Sequence, residues 1–166
     1  MSLEMTLVGH SARVQGLAVT PDGRFVVSGD WDGTLRMWSL GTGACVRILD
    51  EHVGPVFRLM VPADGRYSIP THRRSRGVVW DLGSGSVRLL HGHENRFSAL
   101  AVTADGRRIV SGSRGQTLRV WDADAGDCVA VLTGHTEMVE AVAIAPDGQA
   151  AVSVSWDATL RVWGLG

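Results

Sequence analysis

A single interval governs this chain: His10, His52, His93 and His135 recur at spacings of 42, 41 and 42, and Trp38, Trp80, Trp121 and Trp163 keep the same three spacings. Two independent markers in one register make the sequence four copies of one unit, because a fixed period of roughly 20 to 50 residues signals a repeat architecture. A third marker falls between them. Pro21-Asp22-Gly23, Ala63-Asp64-Gly65, Ala104-Asp105-Gly106 and Pro146-Asp147-Gly148 each separate short runs rich in Val, Leu and Ala. Apolar run, tight turn and apolar run predict a pair of antiparallel strands. In the fourth unit strands are predicted over residues 139–145, 150–154 and 159–163, with a further strand of the kind spanned by 128–132, and no helical periodicity competes with them. Four short strands in a period of about 40 residues make a small sheet that buries both faces only by stacking on neighbours, which predicts an all-β propeller.

Composition narrows the function. The 166 residues suit one domain, and a net charge of -1 gives no overall attraction to nucleic acid or to a membrane surface. No run of about 18 apolar residues exists. The opening Met1-Ser2-Leu3-Glu4-Met5 lacks the basic and apolar segments of a secretory signal, so a cytoplasmic setting is expected. All 16 basic residues are arginine. Cys45 and Cys128 stand in matching contexts of different units, far apart in any stacked repeat, so no disulfide between them is expected.

Gly-His, Pro-Asp-Gly, Ser-Gly and Asp-Gly-Thr-Leu-Arg-Met-Trp follow one another in the first unit, and in this order they resemble the WD-repeat family. The resemblance covers essentially the whole chain. At the repeat tryptophan itself Trp-Asp stands only at Trp80-Asp81 and Trp121-Asp122, with Trp38-Ser39 and Trp163-Gly164 as departures. The resemblance implies four four-stranded blades, approximately 9–49, 51–90, 92–132 and 134–166, with 3–8 as a closing outer strand. It also implies a hydrogen-bonded tetrad of His, Ser or Thr, Asp and Trp in each blade. The first unit supplies His10, Ser28, Asp32 and Trp38, and the fourth His135, Ser153, Asp157 and Trp163. The third keeps Ser111 but has Gly115 at the Asp position, and the second has Pro70 and Arg74 at the Ser and Asp positions. The two middle blades are expected to be softer, since a lost buried hydrogen bond costs about 1 kcal/mol or more.

Residues 3–8 stand before Gly9-His10 as 128–133 stand before Gly134-His135, so they read as an outer strand without a blade of its own. Closing four blades on themselves requires about 90° per blade, whereas eight require about 45°, close to the usual seven-bladed angle. The expected assembly is a head-to-tail homodimer forming one eight-bladed ring. A piece of a longer propeller and a closed four-bladed monomer are the alternatives.

Chemistry finds little purchase. Four histidines are assigned to tetrads, His91-Gly92-His93 has no Cys or carboxylate cluster at ligand spacing, and neither a Gly-x-Ser-x-Gly elbow nor a phosphate-binding glycine loop is present. No catalytic residue, metal site or cofactor is therefore assigned. Binding is better supported. The family resemblance places the residue before each tetrad Asp, and the residue three after each His, on the narrow face around the channel. Those residues are Trp31, Arg73, Arg114 and Trp156, and Arg13, Pro55, Arg96 and Met138. Trp and Arg are enriched at binding hot spots, and Arg recognises carboxylates bidentately. Arg73, Arg74 and Arg76 add a cationic cluster in the most irregular loop. The expected function is a protein or peptide interaction scaffold whose partner is an acidic or phosphorylated segment. The alternative is a structural or self-assembly module, or an excised part of a larger multidomain protein.

Overall fold

The computed structural model describes residues 3–49, 54–72 and 77–166. Among the described residues it contains fifteen strands and no helix. They form four antiparallel sheets in chain order. The first holds β1 (Val14–Val19), β2 (Phe25–Asp30), β3 (Leu35–Ser39) and β4 (Cys45–Leu49); the second holds β5 (Val56–Met60), β6 (Tyr67–His72), β7 (Gly77–Asp81) and β8 (Val87–Leu90). The third holds β9 (Phe97–Val102), β10 (Arg108–Ser113), β11 (Leu118–Asp122) and β12 (Cys128–Leu132), and the fourth holds β13 (Val139–Ile144), β14 (Ala150–Ser155) and β15 (Leu160–Gly164). Each strand pairs with its neighbour in sequence, which makes every sheet a meander of the propeller-blade type.

The hairpin turns follow from the Asp-Gly pairs. Gly23 and Gly106 sit at φ 68° and 70°, left-handed conformations that glycine adopts without steric cost. At the first of these turns Thr20 donates its hydroxyl to Asp22, while the Asp22 carboxylate also accepts the Arg24 backbone N–H. Thr103, Asp105 and Arg107 repeat the arrangement.

The sheets stack through three apolar cores, each shared by two successive blades. Val27, Leu35 and Met37 of the first blade meet Val56, Trp80 and Leu82 of the second. Ile69, Val79 and Leu90 of the second meet Phe97, Leu100 and Trp121 of the third. Val110, Leu118 and Val120 of the third meet Val139, Ala151 and Trp163 of the fourth. One face of each sheet thus packs on the opposite face of the next, and the burial of both faces is what each small sheet lacks alone. A polar clasp reinforces the second junction: Arg66 pairs with Asp124 at 2.7 Å, and the Tyr67 hydroxyl donates to the same carboxylate. Burial and that hydrogen bond push the Tyr67 phenol up to about 12.

Residues 3–8, expected as an outer strand, lie outside every strand of this chain, with Met5 set beside Gly43 of the β3–β4 turn. The fourth sheet has three strands among the described residues.

Candidate partner-binding site

Every first strand begins with the same irregularity. The register shifts between Val14 and Gly16, Val56 and Arg58, and Val139 and Ala141, and β9 shifts between Ala99 and Phe97 opposite Gly112 and Ser113. The residue set aside in each case is Gln15, Phe57, Glu140 or Ser98. A β-bulge leaves one residue out of the ladder and re-aims its side chain. Here Gln15 Oε1 accepts a hydrogen bond from the Trp31 indole at 2.6 Å, and Glu140 Oε2 accepts one from the Trp156 indole at 2.9 Å.

Backbone bonds join the same two segments. The amides of Trp31, Arg114 and Trp156 donate to the carbonyls of Arg13, Arg96 and Met138 at 3.1, 3.0 and 3.0 Å. Both residue series picked out from the sequence therefore meet pair by pair in the first, third and fourth blades. The Arg13 guanidinium lies over the Trp31 ring at 5.7 Å, within cation–π range. Trp31 and Trp156 remain 45% and 69% exposed although each indole N–H is held in place. Arg13, Arg96 and Arg114 are exposed as well, and Met138 is half-buried. Arg73, Arg74 and Arg76 lie outside the described residues, as does His52.

Beneath this edge the tetrads fix the turns. In the fourth blade the Trp163 indole donates to Ser153 at 2.8 Å, Ser153 lies 2.8 Å from His135 Nε2, and His135 Nδ1 lies 2.7 Å from Asp157. With the carboxylate accepting from Nδ1–H, Nε2 is left as an acceptor and the serine hydroxyl donates to it, so the three bonds run in one direction. Burial pushes the Asp157 carboxyl up, but hydrogen bonds from Thr159, His135 and the Thr159 and Thr136 amides outweigh it and hold the group far below the usual carboxylate range.

The first blade corrects the sequence assignment. Ser28 bridges Trp38 at 2.7 Å and His10 at 2.6 Å, but the carboxylate 2.7 Å from His10 Nδ1 belongs to Asp30, not Asp32. Asp30 ends β2 and is fully buried, and its other oxygen accepts the amides of Asp32 and Thr34. Asp32 stands exposed in the turn, where its backbone rather than its carboxylate serves the network. Counting back from tryptophan finds Asp157 in the fourth blade, whereas the first blade delivers its carboxylate two residues earlier.

The third blade has no carboxylate at either position, since Ser113 and Gly115 occupy them. Trp121 and His93 still share the Ser111 hydroxyl at 2.8 and 2.7 Å. Among the described residues, His93 Nδ1 faces the Thr117 hydroxyl at 3.5 Å in place of a carboxylate. Burial, with the nearby Arg119 guanidinium, lowers the imidazole to about 4.

Gln15 and Glu140 were not legible as site residues, because nothing in a strand's alternation marks which position will be bulged. Among the described residues, no group of three His, Cys, Asp or Glu side chains is placed to hold a metal ion.

Against this geometry, a family model described as WD domain, G-beta repeat matches residues 1–39, 84–122 and 126–164. Small ribosomal subunit protein RACK1 of Medicago sativa is 35% identical over 85 residues, 51% of this chain and 26% of that protein. Nuclear distribution protein nudF of Aspergillus niger is 30% identical over 92 residues, 54% of this chain and 21% of that protein. The chain thus spans about a quarter of the curated relatives it matches. Among solved structures, the computationally designed Ika4 protein superposes with a TM-score of 0.85 at 30% identity over 100% of both chains. The structure of U3-55K superposes with a TM-score of 0.80 at 25% identity over 96% of this chain and 51% of that one.

Proposed function

This chain belongs to the WD-repeat family, and on that premise we propose that it is an interaction scaffold that grips a protein or peptide partner on its narrow face, without catalysis of its own, in a cytoplasmic setting. The observation that carries the reading is the pair of exposed indoles, Trp31 and Trp156, each fixed by a bulge residue and by a backbone bond to the neighbouring turn. A large aromatic surface held rigid before binding loses little conformational freedom on contact, which is what a hot-spot residue needs. Arg13 lies over the Trp31 indole, Arg96 and Arg114 are exposed at the matching positions of the third blade, and these guanidinium groups favour a carboxylate-rich or phosphorylated segment. Arg73, Arg74 and Arg76 extend the cationic series by sequence position.

The test uses a fluorescent phosphoserine- and glutamate-rich peptide titrated into the protein. Trp31→Ala together with Trp156→Ala should weaken binding at least tenfold with an unchanged circular dichroism spectrum, and Arg73, Arg74 and Arg76 changed together to serine should weaken it further. Binding that is indifferent to all five residues removes the narrow face from the account. A second reading, a self-assembling module that works as a homodimer, is favoured by the solvent-facing apolar surfaces of the first and fourth sheets.

A further inference from the structure

Two sheet faces in this chain are apolar and bare. In the fourth blade Leu160 and Val162 are 62% and 67% exposed, whereas their repeat equivalents in the third blade, Leu118 and Val120, are 0% and 3% exposed because Val139, Ala151 and Trp163 cover them. In the first blade Leu17 is 63% exposed, whereas its equivalent Leu100 is 8% exposed against the second blade. The two faces are opposite in kind. The fourth blade bares the face that the earlier blades present forward through Leu35 and Met37, Val79, and Leu118 and Val120, and the first bares the face that every later blade presents backward. Each is therefore built to receive the other, by the same residue positions that make the three junctions within the chain.

The strand edges match in the same sense. β15 pairs with β14 on one side only, at the edge that β12 occupies on β11 in the third blade. Residues 3–8 precede Gly9-His10 at the spacing by which β12 precedes Gly134-His135, yet they lie outside any strand, with Leu3 and Val8 exposed.

We infer that a second copy of this chain is the occupant of both faces: the first blade of each copy seats on the fourth blade of the other, and residues 3–8 of each copy form the outer strand on β15 of the other. Transferring the register of β11 and β12, in which Arg119 opposes Val131 and Val120 opposes Ala130, sets Arg161 opposite Thr6 and Val162 opposite Met5 across the two copies. Two such contacts, related by a two-fold axis, close one ring and give the fourth blade of each copy the outer strand that the other three blades have. Closure also puts Trp156 of one copy and Trp31 of the other on adjacent blades. The inference rests on the self-assembly reading and is independent of what the narrow face binds.

The experiment is the mass of the 166-residue chain by light scattering on a sizing column, followed by mixed-chain crosslinking. Twice the 17.7 kDa of one chain is expected. Leu160→Glu or Leu17→Arg alone should reduce the mass to that of one chain, and mixing the two variants should restore a dimer by pairing glutamate with arginine at one junction. In a background with Cys45 and Cys128 changed to alanine, chains carrying Thr6→Cys mixed with chains carrying Arg161→Cys should form an intermolecular disulfide under mild oxidation. These last positions are at surface edges, so the crosslink reports strand addition even where a core variant misfolds. A single-chain mass overturns the inference, as does a mass that grows beyond two chains with concentration; a dimer that never links position 6 to 161 overturns the strand addition. Trp31→Ala and Trp156→Ala leave the mass unchanged, so failure of the assembly and failure of narrow-face binding are read separately.

Discussion

Asp30 and Asp32 are two residues apart, carry the same side chain and stand within reach of one turn, yet only the first is buried against His10. Asp30→Asn should therefore lower stability by about 1 to 3 kcal/mol, the usual range for disabling a buried charge-assisted bond, while Asp32→Asn should fall within about 0.5 kcal/mol. Urea unfolding of the two variants checks the difference. Sequence spacing could name the histidine, serine and tryptophan of this network because the serine and tryptophan lie on strands whose register is fixed by apolar neighbours, and the histidine keeps a constant interval from both. The carboxylate lies where strand gives way to turn, and there spacing alone did not choose between two aspartates. Backbone strain offers a second check at the same turns. Gln116 and Ala158 hold φ at 71° and 64°, where the first blade has Gly33 at 91°. Ala158→Gly should raise stability by up to about 1 kcal/mol, since the left-handed conformation costs a Cβ-bearing residue about 1 to 2 kcal/mol and the added glycine entropy returns part of that gain. Thermal melts would show the rise.

The third blade shows what a unit loses without its carboxylate. His93 is lowered to about 4 when folded, against about 6.5 when unfolded, so between those values the unfolded chain binds more protons. Stability from this group is therefore complete above about pH 6.5 and declines as the pH falls toward 4; the Tm should drop across that window, and the His93 ring signals should not titrate near pH 6.5. Asp157 acts in a different window, because its lowered pKa gives stability that is present above about pH 4 and is lost at more acidic pH. Ser113→Asp copies the position that Asp30 holds in the first blade. It should restore a carboxylate to His93 Nδ1, move the imidazole's titration upward and blunt the melting loss between pH 6.5 and 4, all readable by NMR and calorimetry. The strands themselves were legible nearly to the residue: 128–132 is β12 and 139–145 contains β13, because alternating apolar residues and Asp-Gly turns fix both ends of a hairpin. The bulges were not, since an extra residue at the start of β1 or β13 leaves the alternation intact and changes only the aim of one side chain.

For the whole molecule, stability is distributed over junctions rather than held in one core. Each of the three clusters belongs to two blades, so a unit without a neighbour keeps its hydrogen-bond ladder but loses the burial of the face that the neighbour covers. If a second copy covers the exposed faces of the first and fourth blades, the Tm should rise with protein concentration, as mass action demands of a folded state that binds itself. Leu160→Glu should abolish that dependence while leaving the clasp of Arg66, Tyr67 and Asp124 intact. The all-β repeat architecture was plain from the period of histidine and tryptophan. What the period could not convey was how unevenly the four units would be furnished, because inheritance of one frame does not oblige each copy to keep the same polar fittings. The bulge that opens every first strand makes such divergence cheap. Gln15, Phe57, Ser98 and Glu140 stand outside the ladder at one equivalent site, so each can mutate without disturbing strand pairing, and selection can rewrite what the molecule recognises one blade at a time.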